Sequence, residues 1–388
     1  MRVLQSFPAG RRTTNPYLVQ LSDRLGPDPE VWGFTWWRAL TGQYDVLHAH
    51  WPEALLHGTT PARSLARRWL FRALVLRLRL NRRRTALVRT VHNLRSHETG
   101  PRVERRLLER FDRATTLWIR LNPTTPVPRD APVATIEHGD YRDWFDQLDV
   151  PVMVPGRLVF FGLIRPYKAV PGLIEAFSAL PAGPHGDALS LRVVGRPSSA
   201  DIGAEVSLAA RSDERVQLSL GHAEDAELAA EIGQAELVVL PYREMHNSGA
   251  AVLALSLARP ILVPGNSVTD ALRREVGTGW VYTYSGALTP DVLRQTLARL
   301  RAERSPDATV AAQPNLSGRA WPVVAAAHRE AYARAVRVAR APRAAATVPA
   351  WAGSGTVEQP PVGGEATVDA GQVGQHGSPT AVAPESSG

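Results

Sequence analysis

Short apolar runs alternate along the chain with longer stretches whose apolar residues recur at helical spacing. Runs that are apolar on both faces and are separated by helices are typical of parallel β-sheets. The first half of the chain is therefore predicted to consist of repeated βαβ units. Its predicted elements are strands at 2–7 (RVLQSF), 30–34 (EVWGF), 45–50 (DVLHAH) and 86–93 (ALVRTVHN), with a helix near 15–25.

The second half of the chain repeats this alternation. Two such halves, joined near residues 148–155, predict an α/β architecture of two Rossmann-like domains whose parallel sheets face each other across a cleft. The predicted elements are strands at 157–162, 190–195, 215–220, 236–241 and 260–265, with helices over 170–180, near 224–234 and near 248–258.

The domain boundaries follow from these elements. We place the first domain at 1–150 and the second at 151–316, and expect a helix over 317–341 to return to the first domain. Beyond it, the composition changes to Ala, Gly, Pro, Val, Thr and Ser with few large apolar side chains. Ordering such a segment would cost conformational entropy with little burial to offset it. Residues 342–388 are therefore predicted to be a disordered tail.

Composition restricts the chemistry and the compartment. The chain has no cysteine, which excludes disulfides and thiolate metal sites. No apolar run approaches the roughly 20 residues that a membrane-spanning helix needs, and the N-terminus lacks the apolar core of a signal peptide. The cytoplasm is thus the expected compartment. The net charge of +8 favours an anionic partner, and the acids of the tail make the rest of the chain more basic still.

Lysine usage singles out one loop. Of the 45 basic residues, only Lys168 is a lysine. It lies in the segment 157–177 (RLVFFGLIRPYKAVPGLIEAF), where a strand ends at Gly162 and a basic loop leads to a helix. Arg165 and Lys168 are therefore predicted to lie at the carboxyl end of a parallel strand, where doubly wound sheets bind ligands. Both side chains can donate charge-assisted hydrogen bonds to a pyrophosphate; the alternative is a solvated loop.

A second anion site is predicted in segment 236–265. Asn247, Ser248 and Gly249 open a helix, and the free N–H groups and dipole of a helix N-terminus suit a phosphate. An ordinary helix cap is the alternative interpretation. The predicted donor-binding set also includes Gly195, Tyr242 and Glu244.

Together these two segments resemble the donor site of glycosyltransferases with the GT-B fold, in particular bacterial exopolysaccharide enzymes of the β-mannosyltransferase type. The resemblance implies transfer of a sugar from a nucleotide-diphosphate sugar to a lipid-linked or polysaccharide acceptor. GDP-mannose is the favoured donor, and a UDP-sugar stays open. It also implies that no metal or further cofactor is needed.

Segment 236–265 departs from the pattern of many retaining members of the family. Those enzymes carry two glutamates separated by seven residues around this helix. In this chain the same spacing, counted forward from Glu244, ends at Val252. The position that the second acid usually holds corresponds to Leu253. This departure favours an inverting enzyme, in which one general base deprotonates the acceptor.

Two polar clusters in the first half resemble acceptor-side segments of the same family. They are HAHWPE at 48–53 and TVHNLRSHE at 90–98, and each follows a predicted strand. The candidates for the general base are Glu98, Glu53 and His92, in no fixed order. A buried, hydrogen-bonded histidine is the alternative for each imidazole. Segment 136–145 (IEHGDYRDWF) is assigned only to a hinge or to the edge of the cleft.

A basic amphipathic stretch at 63–84 contains nine arginines interleaved with apolar residues. Such a segment can lie on an anionic lipid surface. We therefore expect peripheral attachment at the inner face of the plasma membrane, whereas a solvated helix face is the alternative. The predicted membrane contacts are Trp69, Phe71, Arg82, Arg83 and Arg84.

Three rival functions have less support from the sequence. A Rossmann oxidoreductase would need G-x-G-x-x-G after the first strand, where this chain has FPAGRRTTNP. An epimerase that binds UDP-sugars and shares the GT-B architecture stays open. A nucleic-acid-binding protein is suggested by charge alone, without a recognisable module, so no nucleic-acid partner is expected.

Overall fold

A computed structural model of the protein describes residues 1–8, 15–92, 101–181, 189–243, 245–304 and 312–341. Two predicted site residues, Glu98 and Glu244, lie outside these ranges. So does the tail at 342–388, whose predicted disorder therefore stays a prediction.

The first sheet has six parallel strands, which are β1 (Arg2–Gln5), β2 (Glu30–Trp32), β3 (Val46–Ala49), β4 (Ala86–Val91), β5 (Leu117–Arg120) and β6 (Val133–Thr135). Its helices are α1 (Pro16–Leu25), α2 (Trp36–Thr41), α3 (Pro61–Leu80), α4 (Arg102–Asp112) and, from the C-terminal end, α12 (Trp321–Arg340). The short helix α5 (Arg142–Phe145) follows this sheet in the chain, but its Phe145 is buried in the core of the second sheet. The strand order is β2-β1-β3-β4-β5-β6. The core lies on both faces, with α1 and α12 on one and α2, α3 and α4 on the other.

The second sheet also has six parallel strands, which are β7 (Arg157–Phe161), β8 (Ser190–Val194), β9 (Val216–Ser219), β10 (Leu237–Val239), β11 (Ile261–Pro264) and β12 (Val281–Tyr284). Its helices are α6 (Val170–Ser178), α7 (Ala200–Ala210), α8 (Asp225–Gly233), α9 (Gly249–Ser256), α10 (Ser267–Val276) and α11 (Pro290–Glu303). The strand order is β12-β11-β10-β7-β8-β9. One large apolar core surrounds the sheet.

The prediction of two parallel sheets with intervening helices is confirmed, but several elements were missed. Strand β6 has three residues and β5 has a charged end, so neither forms the apolar run that marks a buried strand. The pattern also gave no sign of β12 or of helices α2, α4, α7, α10 and α11, which the structure contains.

The C-terminal helix α12 packs against α1 and β4 of the first sheet. Its Trp321 and Tyr332 are buried in the same core cluster as Val3 and Val88. A side chain at Gly139 would place its Cβ 2.6 Å from the Trp321 ring, so glycine is required at this contact. The chain thus crosses from the second sheet back to the first.

Strands β7 and β8 end side by side at two glycines with left-handed backbones. Gly162 has φ of 104° and Gly195 has φ of 149°. A Cβ at Gly195 would lie 2.1 Å from the carbonyl oxygen of Gly162. Because both constraints exclude a side chain, the carboxyl edge of the second sheet depends on this close backbone approach.

We predict that Gly195→Ala lowers the free energy of unfolding by roughly 2–4 kcal/mol, since it adds a backbone clash to conformational strain. Gly172→Ala is the matched control: it lies in helix α6, where a Cβ would have nothing within 4 Å of it. That control is expected to gain about 0.5–1 kcal/mol from helix propensity. Chemical denaturation of both variants measures the difference, and equal stabilities would contradict the close approach.

Candidate active site

Lys168 lies where the predicted phosphate loop ends. Strand β7 leads through Gly162 to a short 3-10 helix over Pro166–Lys168, and a left-handed Ala169 with φ of 49° turns the chain into α6. The Lys168 Nζ is 4.9 Å from the centroid of the Tyr242 ring. It would lie 3.5 Å from a Cβ at Gly162. The ammonium is therefore held at the carboxyl edge of the sheet, between the ends of β7 and β10.

The ammonium of Lys168 is buried beside another cation. Its side chain is 9% exposed, and burial, with a further contribution from Arg165, lowers its pKa to about 8. Among the described residues no carboxylate forms an ion pair with it. A buried ammonium without a counter-charge is costly. Such an arrangement is typical of a site that receives an anionic ligand.

The start of α9 lies on the other side of Tyr242 from Lys168 in the chain of contacts. The side chain of Ser248 accepts a hydrogen bond from the N–H of Ala251 at 3.2 Å, so it caps the helix as the alternative interpretation proposed. Burial raises the pKa of Tyr242, and the neighbouring Ser248 side chain partly opposes this effect. Tyr242 therefore lies near both the ammonium and the start of the helix. The cap leaves the N–H groups of Gly249 and Ala250 at the helix start for a ligand.

The loop before α9 docks on the first sheet. Asn247 donates a hydrogen bond from Nδ2 to the backbone carbonyl of His92 at 2.9 Å and accepts one from Asn122 at 2.6 Å. His246 lies 2.8 Å from the hydroxyl of Thr125. These contacts place the predicted donor segment against the carboxyl ends of β4 and β5. Asn247 thus bridges the two sheets through both polar groups of its side chain.

Histidines at the carboxyl edge of the first sheet form a buried network. His48 bridges Tyr332 and Thr90 at 2.8 Å each. His50 lies 3.2 Å from Gln5 and 3.0 Å from Nε2 of His92. Burial lowers the pKa of His48 and His50 well below the usual value. For these two residues the structure matches the alternative of buried, hydrogen-bonded histidines.

Two candidates for the general base are described. Burial, and then the nearby His138, lowers the pKa of His92 to about 3, and its ring stacks on Trp51 with centroids 4.2 Å apart. A base with so low a pKa accepts a proton poorly at neutral pH. Glu53 is the second residue of a short 3-10 helix (Pro52–Leu55) that follows β3, and it is half-buried. The low pKa of the His92 imidazole counts against it, and Glu53 stays a candidate.

Tyr141 and His138 contact the first residue of α9, and no pattern in the sequence indicated this contact. A Cβ at Gly249 would lie 3.1 Å from the hydroxyl of Tyr141 and 3.5 Å from Nε2 of His138. Both belong to the segment that had been assigned only to a hinge or cleft edge. Their contact with Gly249 joins positions far apart in the chain, so no local pattern could have revealed it.

Within the described ranges, no group of three or more His, Asp or Glu side chains is placed to hold a metal ion.

The basic stretch forms α3 and the turn after it. Trp69 is 62% exposed, and Arg82, Arg83 and Arg84 are exposed in the turn. Phe71 is fully buried in the core against the first sheet, which corrects its assignment as a membrane contact. It points inward because it lies on the same helix face as the buried Leu74 and Leu78. None of the helices in the described part of the chain is both long and apolar enough to cross a membrane.

Comparison with known proteins identifies the family. No protein-family model matches the chain. Over 335 residues the chain is 42% identical to a GDP-mannose:glycolipid 4-beta-D-mannosyltransferase of Xanthomonas campestris pv. campestris strain ATCC 33913. The aligned region covers 86% of this chain and 92% of that enzyme. A second sequence of that name, from the same pathovar, matches equally well. This chain belongs to that mannosyltransferase family.

Solved structures show that this glycosyltransferase has the GT-B fold. Anabaena Alr3699/HepE, solved with UDP, is 14% identical with a TM-score of 0.53, over 88% of this chain and 97% of that one. AviGT4, a glycosyltransferase of avilamycin A biosynthesis, is 15% identical with a TM-score of 0.51, over 87% and 98%. The family and the fold confirm the predicted enzyme class and do not favour an epimerase or a nucleic-acid-binding protein.

We predict that Lys168→Met weakens binding of GDP by about 10- to 100-fold, because it removes a charge-assisted hydrogen bond. Arg211→Met removes one positive charge at the C-terminal end of α7 and serves as the charge-matched control. Calorimetric titration of both variants with GDP measures the effect. Equal losses in the two variants would reduce the role of Lys168 to net charge alone.

Binding of GDP is also expected to depend on pH. Since the free ammonium has a pKa of about 8, it is charged below that pH and neutral above it. A bound diphosphate favours the charged form, so binding above pH 8 takes up a proton. We expect GDP affinity to be level near pH 7 and to fall from about pH 8 to about pH 9.5. A pH-independent affinity in the wild type would contradict this, and Lys168→Met is expected to lose the dependence.

Proposed function

We propose that this glycosyltransferase transfers mannose from GDP-mannose to a glycolipid acceptor and inverts the configuration at the anomeric carbon. The observation that carries the proposal is the buried ammonium of Lys168, which has no carboxylate partner among the described residues and lies over Tyr242, a neighbour of Ser248 at the start of α9. The names of the Xanthomonas relatives supply the donor and the acceptor class. In this proposal residues 1–150 bind the acceptor and residues 151–316 bind the donor. Residues 317–341 pack on the first sheet.

The proposed reaction is a single displacement. The acceptor hydroxyl oxygen attacks C1 of mannose, the bond from C1 to the β-phosphate oxygen breaks, and GDP leaves with its electron pair. The acceptor proton passes to a general base. Mannose is α-linked in GDP-mannose, and the relatives are named for a β-linked product, so one displacement accounts for the stereochemistry. This agrees with the departure from the two-glutamate pattern.

Each part of the proposed site has a role in that displacement. Negative charge develops on the leaving diphosphate, where the Lys168 ammonium and the N–H groups of Gly249 and Ala250 would stabilise it. Arg165 adds a second positive charge nearby. These groups supply the charge that a metal ion would otherwise provide. For the base we favour Glu53, and Glu98, outside the described residues, stays a candidate.

A membrane surface is the proposed place of action, and helix α3 supplies the support. Its outward face carries Leu65, Trp69, Leu76 and Leu80, which are 54%, 62%, 58% and 76% exposed. At about 100° per residue these four positions fall on one stripe, opposite the side that packs on the sheet. A 20-residue helix is about 30 Å long, so the stripe is extended.

Arginines border this stripe on one side. By the same helical spacing, Arg72 and Arg79 fall along that border together with Arg68, which also pairs with Glu104. An apolar stripe beside a cationic border fits a helix that lies in the plane of an anionic leaflet. Trp37, 77% exposed on the neighbouring α2, can extend the contact. We therefore propose peripheral attachment to the cytoplasmic face of the membrane that contains the glycolipid.

The donor prediction is tested by thermal shift with nucleoside diphosphates. GDP is expected to raise the Tm of the wild type at concentrations where UDP and ADP do not, because ligand binding to the folded state stabilises it by mass action. Transfer of labelled mannose to a glycolipid extract then tests the reaction. A rise in Tm with UDP and not with GDP would contradict the GDP-mannose assignment.

For the membrane surface we predict that the double variant Trp69→Gln and Leu76→Gln binds anionic vesicles at least about tenfold more weakly, since it removes two apolar contacts from the interface. Leu208→Gln is the matched control, because Leu208 is a 66% exposed leucine on α7. Sedimentation with phosphatidylglycerol vesicles measures binding. If the double variant and the control sediment alike, α3 is not the membrane surface.

A further inference from the structure

The imidazole of His138 presents a hydrogen-bond acceptor. Its Nδ1 lies 2.8 Å from the backbone carbonyl of Gly139. A carbonyl oxygen can only accept, so Nδ1 carries the proton, and in the neutral ring Nε2 keeps a free lone pair. The tautomer is thus fixed by the backbone of the next residue.

This acceptor faces the start of α9. Nε2 would lie 3.5 Å from a Cβ at Gly249, the first residue of that helix. The Tyr141 hydroxyl lies against the same glycine, and the Tyr17 ring packs on His138 with centroids 4.5 Å apart. Tyr17 is 1% exposed, and its hydroxyl lacks a hydrogen-bond partner among the described residues. Polar groups from the first half of the chain therefore converge on the helix that the diphosphate is proposed to meet.

The surroundings keep the ring neutral. Burial, partly opposed by the Gly139 contact, and the nearby Arg319 lower the pKa of His138 to about 4. Arg319 donates to the His138 carbonyl at 3.3 Å and pairs with Glu137 and Glu275, so neither carboxylate is free to stabilise a protonated ring. The other neighbours, Tyr17, Tyr141 and His92, are uncharged near neutral pH.

A neutral acceptor at this place suits a hydroxyl and not a phosphate. Phosphate oxygens carry lone pairs and repel a second lone pair, whereas every sugar hydroxyl can donate. The transferred sugar is attached to the β-phosphate and has to extend from α9 towards the acceptor side, which is where His138 lies. We propose that Nε2 of His138 accepts a hydrogen bond from a hydroxyl of the donor sugar and so helps to select that sugar. This rests on the proposed function.

The test compares GDP with GDP-mannose on His138→Phe, which keeps a ring of similar size and removes the acceptor. In calorimetric titration without acceptor lipid, GDP is expected to bind the variant as it binds the wild type. GDP-mannose is expected to bind about 10- to 100-fold more weakly, since a sugar hydroxyl loses its partner. His138→Gln, whose side-chain oxygen also accepts, is expected to recover part of this loss.

The outcomes separate this inference from the function on which it rests. Equal weakening of GDP and GDP-mannose in His138→Phe would place the residue at the diphosphate and overturn the sugar contact. Unchanged binding of both ligands would remove His138 from the site. A wild-type protein that binds neither ligand would contradict the proposed donor itself. Tyr141→Phe, which removes only a hydroxyl at the same glycine, shows whether any loss is specific to the imidazole.

Discussion

A buried positive charge that no carboxylate in the described part of the chain neutralises is the constraint around which the second half of this enzyme is organised. The Lys168 ammonium is held over the Tyr242 ring, close to Gly162, and burial lowers its pKa. Proteins seldom keep such a charge unless a ligand compensates it. A Cβ at Gly162 would lie 3.5 Å from the ammonium nitrogen, and the left-handed Ala169 turns this loop into α6. The start of α9, where Ser248 neighbours Tyr242, would add uncharged N–H donors.

The first half of the chain completes this arrangement from the opposite side. Asn247 ties the loop before α9 to Asn122 and to the backbone of His92, while α12 returns from the second sheet to pack on the first. A hydrogen-bonded network of buried histidines, whose pKa values burial lowers, adjoins this contact through His92 and includes His48 and His50. Its residues are too deeply buried to act as bases, so we assign them to holding the carboxyl edge of the first sheet in place.

Sequence reasoning reached the fold because parallel sheets leave local signals, and it also pointed to the loop around Lys168, whose role in donor binding stays a proposal. Parallel strands leave apolar runs, and one lysine among many arginines marked the loop around Lys168. Phe71 was misjudged because a helix with apolar residues on two faces does not reveal which face packs inward. The position of His138 beside Gly249 was unpredictable, since it depends on how the two sheets are placed. For the same reason the bridging role of Asn247 could not be read from its segment.

A crystal structure of the enzyme with bound GDP tests the central claim most directly. We expect β-phosphate oxygens within about 3.2 Å of both the Lys168 ammonium nitrogen and the backbone nitrogen of Gly249 or Ala250. A diphosphate that binds elsewhere, with the ammonium still over the Tyr242 ring and without a phosphate contact, would contradict it.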